Sequence, residues 1–592
     1  MESSGEDTDI ESQPVSSEDT HRLLYIIPDN EVACSAILEL RDKLSVQSAD
    51  DSLDHHRSFL RVTSDSYTRG GARDYTPTSG SGSDGEAVML GPEETYEADG
   101  HFELSLLYQP ARRAAGWTIG RGRTESSSAP LVDLLVPVPR SSGMHSYHCA
   151  FQFNDAGQLQ VMAFHSRVSL DHFPIDAGTA RVLHRPDHRL QVGPCLYRLA
   201  FAPQDHLRDA HQKAKKNYLQ EHYPGYGVPH ELISATPSRD DQYINDDWKI
   251  STGNAIGTGA GDRDTGMTFV QAASHTRENK VRALKERRRI DERGSKAIQF
   301  TERTYARLRR LLGDDGNREF IEHLDEILYS GSDRIWTPGV KDKVYHLFSP
   351  LGNGNFRQFF IRRTMGEVSK LDKTALFVQI LMGMDSLQRA RIIHRDIKPE
   401  NLVVVLSNPP RAAIIDFGQA IFQDDEKRGG IVPTPGRGGT IGYLAPEQEN
   451  PTYSSDGLFG CPIDVFALGL VGIDIFSDPN RPIWPMKARN PNPFREPLNR
   501  SHIAEFDGVL RYLAAYAPGS FFHLLGRMLD KSPATRIKTG EILVHPAVRE
   551  HVQAQYVRRE AEENSSFRLG SKRLGSSEFA SSRFTTPTPG PS

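Results

Sequence analysis

Short runs of alternating apolar and polar residues characterise the chain between residues 101 and 203. The segments FELSLLY, HCAFQFND, GQLQVMAF and YRLAF each carry an apolar face, and turn residues separate them. Alternation with a period of two gives a β-strand one apolar side. Several short strands in succession predict an all-β sandwich over residues 101–203.

The patterns on either side of this region differ from it. Residues 1–20 are polar and acidic, which predicts disorder. Residues 21–100 contain a strand-like run, a helix-like run and a Ser/Gly/Asp-rich linker, and residues 204–246 predict a linker with one charged helix. A larger domain with helix and strand patterns follows at 247–551, and residues 552–592 predict a disordered tail.

Composition restricts the class of protein. The chain has 592 residues, which exceeds the about 250–300 residues at which one core stops growing, so several domains are expected. The net charge of −6 argues against direct nucleic-acid binding, and no apolar run approaches the about 20 residues that cross a bilayer. Four scattered cysteines form no CxxC pair, which argues against a disulfide framework or a zinc site. We expect a nuclear or cytoplasmic protein without a membrane partner.

Two segments carry the candidate chemistry. HRDIKPEN at residues 394–401 is followed, after an apolar run, by IIDFG at residues 414–418. Phosphoryl transfer requires an oriented hydroxyl and metal ions that neutralise phosphate charge. A carboxylate on a loop can accept a hydrogen bond from that hydroxyl. An amide five residues later and a carboxylate at a strand end can bind Mg²⁺, which prefers oxygen ligands.

These segments resemble the catalytic and metal-binding loops of protein kinases. The resemblance implies that Asp396 is the catalytic base and that Asn401 and Asp416 bind Mg²⁺. The alternative is that they are ordinary surface turns, which the order and number of matching motifs disfavour.

Three later segments extend the resemblance. GTIGYLAPE, which ends at Glu447, resembles the end of a kinase activation segment. CPIDVFALG resembles the helix that follows, in which Asp464 would hold the backbone of the catalytic loop. Arg536 occupies the place of the arginine that pairs with the glutamate of the APE motif. The resemblance implies an α+β, two-lobed protein kinase fold at residues 247–551.

The ATP end of the resemblance is less regular. VRALK resembles the strand that carries the phosphate-binding lysine, here Lys285, and Val270 lies in a segment that resembles the strand leaving the glycine-rich loop. Glu302 is the candidate partner of that lysine, or else an ordinary helix residue. The loop departs from the usual spacing in a way that resembles an insertion. Its glycines, which would let backbone amides approach phosphate, are Gly257, Gly259, Gly261 and Gly266.

Residues around the activation segment indicate the substrate class and its control. Lys398 and Thr440 resemble the serine/threonine class of protein kinases. Arg395 could pair with a phosphorylated activation segment, because a guanidinium binds phosphate well. Thr434, which precedes a proline, is a candidate phosphorylation site or simply a turn residue. The basic run at residues 287–289 is typical of an exposed face, and the alternative is a phosphate-binding or nuclear-import patch.

The N-terminal sandwich resembles a forkhead-associated domain, the module that binds phosphothreonine peptides. GWTIGR supplies Arg121 as the phosphate contact, and SSGMHSYHCA supplies His145 and Ser146 as weaker ones, with His148 as the structural histidine. The alternative is a sandwich that binds a protein surface or only packs on the kinase. A forkhead-associated domain before a kinase domain is similar to the arrangement of checkpoint kinases.

Together, the resemblances imply a serine/threonine protein kinase that uses ATP and Mg²⁺ on protein substrates. Its N-terminal module would recruit phosphothreonine-containing partners. One alternative is a pseudokinase that acts as a phosphopeptide-binding scaffold. Another, a small-molecule phosphotransferase, is disfavoured by the GTIGYLAPE segment, which forms a platform for peptide chains in protein kinases.

Overall fold

A computed structural model gives the structure of the chain. The chain divides into two compact units, Met1–Glu286 and Arg287–Ser592. The structure describes residues 18–46, 54–62, 100–122, 132–154, 157–202, 207–222, 236–237, 241–245, 247–250, 257–258, 269–278, 280–289, 292–330, 342–363, 371–407, 409–422, 438–453, 461–489, 493–495 and 500–561. The predicted disorder at both ends of the chain and the Ser/Gly/Asp-rich linker therefore lie outside the described residues, except for 18–20 and 552–561.

The first unit is rich in β-strands. Its strands are β1 (Arg22–Pro28), β2 (Leu60–Val62), β3 (Gly100–Ser105), β4 (Trp117–Gly120), β5 (Leu134–Leu135), β6 (Cys149–Phe153), β7 (Leu159–Ala163), β8 (Val168–Leu170), β9 (Phe173–Pro174), β10 (Ala180–Val182), β11 (Asp187–Val192), β12 (Cys195–Phe201), β13 (Gln242–Ile244), β14 (Trp248–Ile250), β15 (Gly257–Thr258), β16 (Phe269–His275) and β17 (Val281–Arg289). Its helices are α1 (Glu31–Val46), α2 (Asp54–Arg57) and α3 (Arg208–His222). The last strand, β17, runs across the boundary into the second unit.

Two sheets enclose one hydrophobic core in the first unit. One has the strand order β2-β3-β1-β12-β11-β8-β9 and the other has the order β10-β7-β6-β4-β5. Apolar side chains of both sheets, such as Ile26 and Tyr197 from the first and Trp117 and Phe151 from the second, belong to the same buried cluster. The alternating pattern thus places its apolar residues between two β-layers.

This β-rich domain begins earlier than the sequence predicts. Strand β1 lies in the interior of the seven-stranded sheet, where Ile26 is opposite both Leu199 on β12 and Phe102 on β3. Helix α1 adds Ile37 and Leu40 to the buried core. The predicted start at residue 101 is therefore corrected to Arg22, because a strand with two hydrogen-bonded neighbours cannot belong to a linker.

Helix α3 confirms the predicted charged helix and packs against the β-layers. The Tyr218 ring stacks on Trp117 with their centroids 5.8 Å apart. After it, β13, β14, β16 and β17 pair in that order, and β15 pairs with β16. In this part of the first unit, Gly257 is opposite Val270, and Val270 is opposite Lys285.

The second unit mixes helices and strands. Its strands are β18 (His323–Tyr329), β19 (Asp342–Ser349), β20 (Gly354–Asn355), β21 (Ile392–Ile393), β22 (Leu402–Val405), β23 (Arg411–Ile414) and β24 (Ile421–Phe422). Its helices are α4 (Glu292–Leu312), α5 (Lys373–Arg389), α6 (Pro446–Glu449), α7 (Pro462–Phe476), α8 (Arg500–Ala514), α9 (Phe521–Met528), α10 (Thr539–Leu543) and α11 (549–561).

Helices α5 and α7 form much of the core of the second unit. The Asp372 side chain caps α5 by accepting hydrogen bonds from the backbone amides of Thr374 and Ala375, at 2.9 and 3.0 Å. Most residues of α7 are buried, and they include the charged Asp464. A carboxylate in an apolar helix requires specific partners, and these partners belong to the candidate site.

Two sequence-based expectations are corrected in the second unit. The tail does not begin at residue 552, because α11 continues to residue 561 and its Gln555 forms a buried hydrogen bond of 3.2 Å with Gln379. The basic run at 287–289 is only partly an exposed face: Arg288 is exposed, but the Arg289 side chain is 4% exposed and forms an ion pair with Asp342. Among the described residues, no helix combines the length and apolar character needed to span a membrane.

Candidate active site

Asp396 lies on the loop between β21 and the one-turn helix Pro399–Asn401 and is buried. Three side chains donate hydrogen bonds to its carboxylate. Thr440 Oγ1 donates to Oδ1 at 2.6 Å, whereas Lys398 Nζ and Asn401 Nδ2 donate to Oδ2 at 2.7 and 3.1 Å. Because three donors surround it, the carboxylate is held in one orientation.

Lys398 and Thr440 also contact each other. Lys398 Nζ donates to Thr440 Oγ1 at 2.8 Å, while that hydroxyl donates to Asp396. The two residues are 42 positions apart in the sequence, and the contact therefore ties the segment after β24 to the loop that carries Asp396. This geometry brings all three sequence-predicted catalytic residues together.

The backbone of this loop is held by Asp464 of α7. Its two carboxylate oxygens accept hydrogen bonds from His394 N at 2.7 Å and from Arg395 N at 2.9 Å. Arg395 has a φ of 69°, a left-handed conformation that is unfavourable for a residue with a Cβ. Burial raises the pKa of Asp464, and the two amide donors oppose this effect. The contact implied by the kinase resemblance is thus present.

The pairing of β22 with β23 brings Asn401 next to Asp416. Leu402 is opposite Ile414, and Ile415 N donates to the Asn401 carbonyl at 2.9 Å. The Asn401 amide nitrogen donates to the Asp396 carbonyl at 2.8 Å, so its side-chain oxygen is the atom suited to a metal. An amide oxygen and a carboxylate fit Mg²⁺, which usually binds one or two protein oxygens and keeps water and phosphate as its other ligands. Among the described residues, no group of three or more His, Cys, Asp or Glu side chains forms a metal site.

Two residues that contact Asp416 were not predicted from the sequence. Glu322 is buried just before β18, and its Oε2 accepts a hydrogen bond from Asp416 N at 2.8 Å. The Tyr305 hydroxyl of α4 donates to the same oxygen. Burial raises the pKa of Tyr305 well above its ordinary value, and the carboxylates of Glu322 and Asp416 raise it further, so the phenol stays protonated. The sequence signal that could have indicated Glu322 is its acidic side chain in the apolar segment that leads into β18.

The ATP-binding residues are only partly described. Gly257, Val270 and Lys285 lie in one row across β15, β16 and β17 of the first unit. This register places the Lys285 backbone beside the strand that leaves the glycine-rich segment, as the sequence predicts. The remaining predicted glycines, Gly259, Gly261 and Gly266, lie outside the described residues.

Glu302, the predicted partner of Lys285, lies on α4 of the second unit. Glu302 accepts a hydrogen bond from the Tyr329 hydroxyl at 2.9 Å. The residue before it on α4 is Thr301, and its Oγ1 accepts a hydrogen bond of 2.7 Å from Arg287, near the end of β17. Burial lowers the pKa of Arg287, and the Asp416 carboxylate opposes this effect. The role of Glu302 beside Lys285 stays a prediction.

The end of the predicted activation segment is anchored at two points. Gly439 has a φ of 107°, and its amide donates to Gln419 Oε1 at 3.0 Å. A Cβ at this position would lie 2.7 Å from the Arg395 carbonyl oxygen, which only glycine avoids. Further along, the Glu447 carboxylate pairs with Arg536 inside the protein. Thr434 lies outside the described residues.

The candidate phosphopeptide residues meet at one edge of the first unit. Arg121 donates to Ser146 Oγ at 3.2 Å and to the Met144 carbonyl at 3.3 Å. His148 is buried and its Nδ1 accepts a hydrogen bond from His145 N at 3.0 Å, which holds the loop. Burial, together with the charges of His145 and His165, lowers the pKa of His148 to about 4, so this ring is neutral at pH 7.

The structure adds two residues to this edge. The exposed His145 ring stacks on His165, with centroids 3.7 Å apart. The guanidinium of Arg167 lies against Gly143, on the same loop as His145 and Ser146. Neither His165 nor Arg167 was predicted from the sequence, because no motif in that segment marks them as binding residues.

Comparisons with known proteins agree with this geometry. Residues 265–548 match the family model described as "Protein kinase domain". "Aurora kinase" of Encephalitozoon cuniculi is 27% identical over 211 residues, which is 36% of this chain and 69% of that protein. "Aurora kinase" of Saccharomyces cerevisiae is 26% identical, over 34% of this chain and 48% of that protein.

A third relative has a name that states its hydroxyl specificity. "Serine/threonine-protein kinase cds1" of Schizosaccharomyces pombe is 28% identical over 35% of this chain and 41% of that protein. The chain thus spans less than half the length of two of these three relatives. The matches support a protein kinase domain of the serine/threonine type in the C-terminal part of the chain.

Proposed function

We propose that the chain transfers the γ-phosphoryl group of ATP to serine and threonine hydroxyls of proteins. The observation that carries the proposal is the Asp396 carboxylate, which Thr440, Lys398 and Asn401 hold by hydrogen bonds. A carboxylate in a fixed orientation can accept a hydrogen bond from an incoming hydroxyl, and positioning supplies most of the catalysis in phosphoryl transfer.

Each residue has a definite part in this proposal. Asp396 orients the substrate hydroxyl and takes its proton, and the Lys398 ammonium offsets negative charge next to it. Asn401 and Asp416 would hold Mg²⁺, which supplies neutralisation of phosphate charge when bound. Lys285 would bind the ATP phosphates, with Val270 on the adjacent strand and Gly257 on the strand beyond it.

Specificity for serine and threonine is the finer part of the proposal. The Lys398–Thr440 contact supports it, because both residues resemble the serine/threonine class and they join the catalytic loop to the peptide platform. The identity of 28% with the serine/threonine-protein kinase cds1 points the same way. The proposal includes protein substrates and a nuclear or cytoplasmic location.

A peptide array with Mg²⁺ and ATP tests the activity and the hydroxyl class together. We expect wild-type protein to label serine and threonine peptides and not tyrosine peptides. Asp396→Ala should abolish labelling while it retains nucleotide binding, whereas Asp478→Ala, at an exposed carboxylate, should label like wild type. Full labelling by Asp396→Ala would refute the assignment, and wild-type protein that binds nucleotide without labelling any peptide would favour the pseudokinase alternative.

The edge of the first unit is the basis for proposing a second function. There Arg121 and Ser146 are hydrogen-bonded, and His145, His165 and Arg167 lie on adjacent loops. A guanidinium with neighbouring hydroxyl and imidazole donors suits a phosphate group. We therefore propose that this domain recruits phosphothreonine-containing partners.

Binding of a phosphothreonine peptide library, followed by fluorescence anisotropy, tests this second function. We expect Arg121→Ala to lose binding and the exposed Arg140→Ala to retain it. Equal binding of phosphorylated and unphosphorylated peptides would instead indicate a protein-binding surface that does not read phosphate.

A further inference from the structure

The backbone of Glu322 is attached to the chain close to Asp416. Its amide donates to the Ile414 carbonyl at 2.8 Å, and the preceding Ile321 forms an isolated parallel bridge with Ile414. The start of β18 is thereby attached to the end of β23, two residues before Asp416. This attachment fixes where the Glu322 side chain begins.

The Glu322 side chain then joins two separate elements. Its Oε2 accepts hydrogen bonds from Asp416 N at 2.8 Å and from the Tyr305 hydroxyl of α4. The Tyr305 hydroxyl also accepts a weak hydrogen bond of 3.4 Å from Phe417 N. The Phe417 ring contacts Tyr305 on one side and His394 on the other, at centroid distances of 6.0 and 4.7 Å. One buried carboxylate therefore links α4, the Asp416 backbone and, through Phe417, the catalytic loop.

The hydrogen bond to Glu322 restrains the backbone conformation of Asp416. Asp416 has a φ of 67° and a ψ of 73°, in the left-handed region. Aspartate tolerates this region better than most residues with a Cβ, but it remains a minority conformation that surrounding contacts must favour. The charge-assisted bond from Asp416 N to Glu322 is such a restraint, because it fixes the direction of the amide and with it the direction of the side chain.

We propose that Glu322 is a positioning residue that holds Asp416 in its metal-binding orientation and makes this orientation depend on the place of α4 through Tyr305. The proposal rests on the proposed function, since it assigns a role toward the same Mg²⁺. Partners that orient a metal ligand typically change metal affinity by about 10–100-fold when they are removed.

Two matched substitutions of Glu322 test the role in the full-length chain. Glu322→Leu removes the acceptor at similar volume, whereas Glu322→Gln keeps one side-chain oxygen that can accept both hydrogen bonds. We expect the Leu variant to weaken Mg²⁺-dependent binding of an ATP analogue by about 10-fold or more in calorimetry. The Gln variant should stay within a few-fold of wild type, and binding without Mg²⁺ should be the same in all three proteins.

Hydrogen exchange gives a readout that does not involve activity. We expect exchange at the amides of Asp416 and Phe417 to accelerate in Glu322→Leu and to remain slow in Glu322→Gln. Glu326→Leu, at an exposed position of the same strand, is the control and should leave both readouts unchanged. Tyr305→Phe, which removes only the hydroxyl, should show a smaller loss of Mg²⁺ dependence, and its combination with Glu322→Leu should lose no more than Glu322→Leu alone.

The outcomes separate this inference from the proposed function. Normal Mg²⁺ dependence and slow exchange in a folded Glu322→Leu variant would overturn the positioning role, as would equal losses in the Gln and Leu variants. A wild-type chain whose analogue binding ignores Mg²⁺ would overturn it too. If the wild type binds the analogue with Mg²⁺ and the variants behave as expected, but no peptide is phosphorylated, the proposed activity fails and the role of Glu322 stands.

Discussion

Arg536 donates two hydrogen bonds to the Glu447 carboxylate, at 2.6 and 3.0 Å, and neither side chain is exposed to solvent. Arg536 also donates to the Pro462 carbonyl at 2.9 Å, at the start of α7. The pair therefore joins the end of the activation-segment region to the helix that carries Asp464. Removal of one partner would leave a buried charge without compensation.

Arg536→Met is expected to lower the free energy of unfolding of the second unit by about 3–5 kcal/mol, because Glu447 would remain buried and unpaired. Urea denaturation measures the change. Arg536→Met combined with Glu447→Leu should recover much of the loss, because both charges are then absent. The exposed pair of Arg527 with Glu541, in the same unit, is the control, and Arg527→Ala should cost less than about 1 kcal/mol.

Asp464 is expected to control catalysis through the backbone of the catalytic loop. Both of its oxygens accept amide hydrogen bonds from His394 and Arg395, whereas an asparagine offers one acceptor and places an NH₂ group against the other amide. Displacement of the loop should therefore reduce kcat in Asp464→Asn, by about 100-fold for a shift of 1 Å. Steady-state phosphorylation kinetics measure this, and unchanged kcat in a folded variant would contradict it.

The Thr440 hydroxyl should matter for the rate more than for folding. It donates to Asp396 and accepts from Lys398, so Thr440→Val removes both contacts at similar volume. We expect a fall in kcat with little change in KM for ATP, because the threonine touches the carboxylate and not the predicted nucleotide residues. Thr440→Ser retains the hydroxyl and should keep most of the activity. If the Ser and Val variants have equal kcat, the hydroxyl is not the cause.

The first unit should lose stability in mild acid because of His148. Its pKa is lowered from 6.5 to about 4 in the folded protein, so the unfolded chain binds the proton more readily. The stabilising contribution is fully present above pH 6.5 and is lost as the pH falls toward 4. We expect the first unit's Tm, followed by calorimetry of the whole chain, to decrease over this window.

His148→Asn is the matched variant for that measurement. An asparagine oxygen can accept the His145 amide hydrogen bond without titrating near pH 5. The variant should therefore show a smaller decrease of Tm between pH 6.5 and 4 than wild type. Because His101, His184 and His211 also have lowered pKa values, part of the pH dependence should persist. An identical pH profile in both proteins would refute the role of His148.

Contiguous motifs were readable from the sequence, and dispersed ones were not. HRDIKPEN contains Asp396, Lys398 and Asn401 within six residues, and the loop geometry follows from local chain connectivity. Glu322 is 94 residues from Asp416, and no spacing rule connects them. Likewise, His165 and Arg167 lie near Arg121 only because the intervening strands, which include β6 and β7, return the chain to the same edge.

The start of the β-rich domain also depends on contacts between residues that are far apart in the sequence. The run at residues 22–28 is recognisably strand-like, but its place beside β12 depends on pairing across more than 160 residues. The sequence pattern therefore could not predict that this strand lies inside the sheet. Local pattern predicts that a strand exists, whereas hydrogen-bond partners decide to which domain it belongs.

By itself, the sequence determined the residue types of the catalytic loop and the metal-binding segment, because these motifs are short and carry their chemistry locally. Only the tertiary structure decided how the Asp396 carboxylate is held, with Thr440 arriving from 44 residues away. It also decided that the Asp416 amide is bound by a buried glutamate. The physical reason is that a hydrogen bond requires two atoms at about 3 Å, and folding alone brings distant residues to that separation.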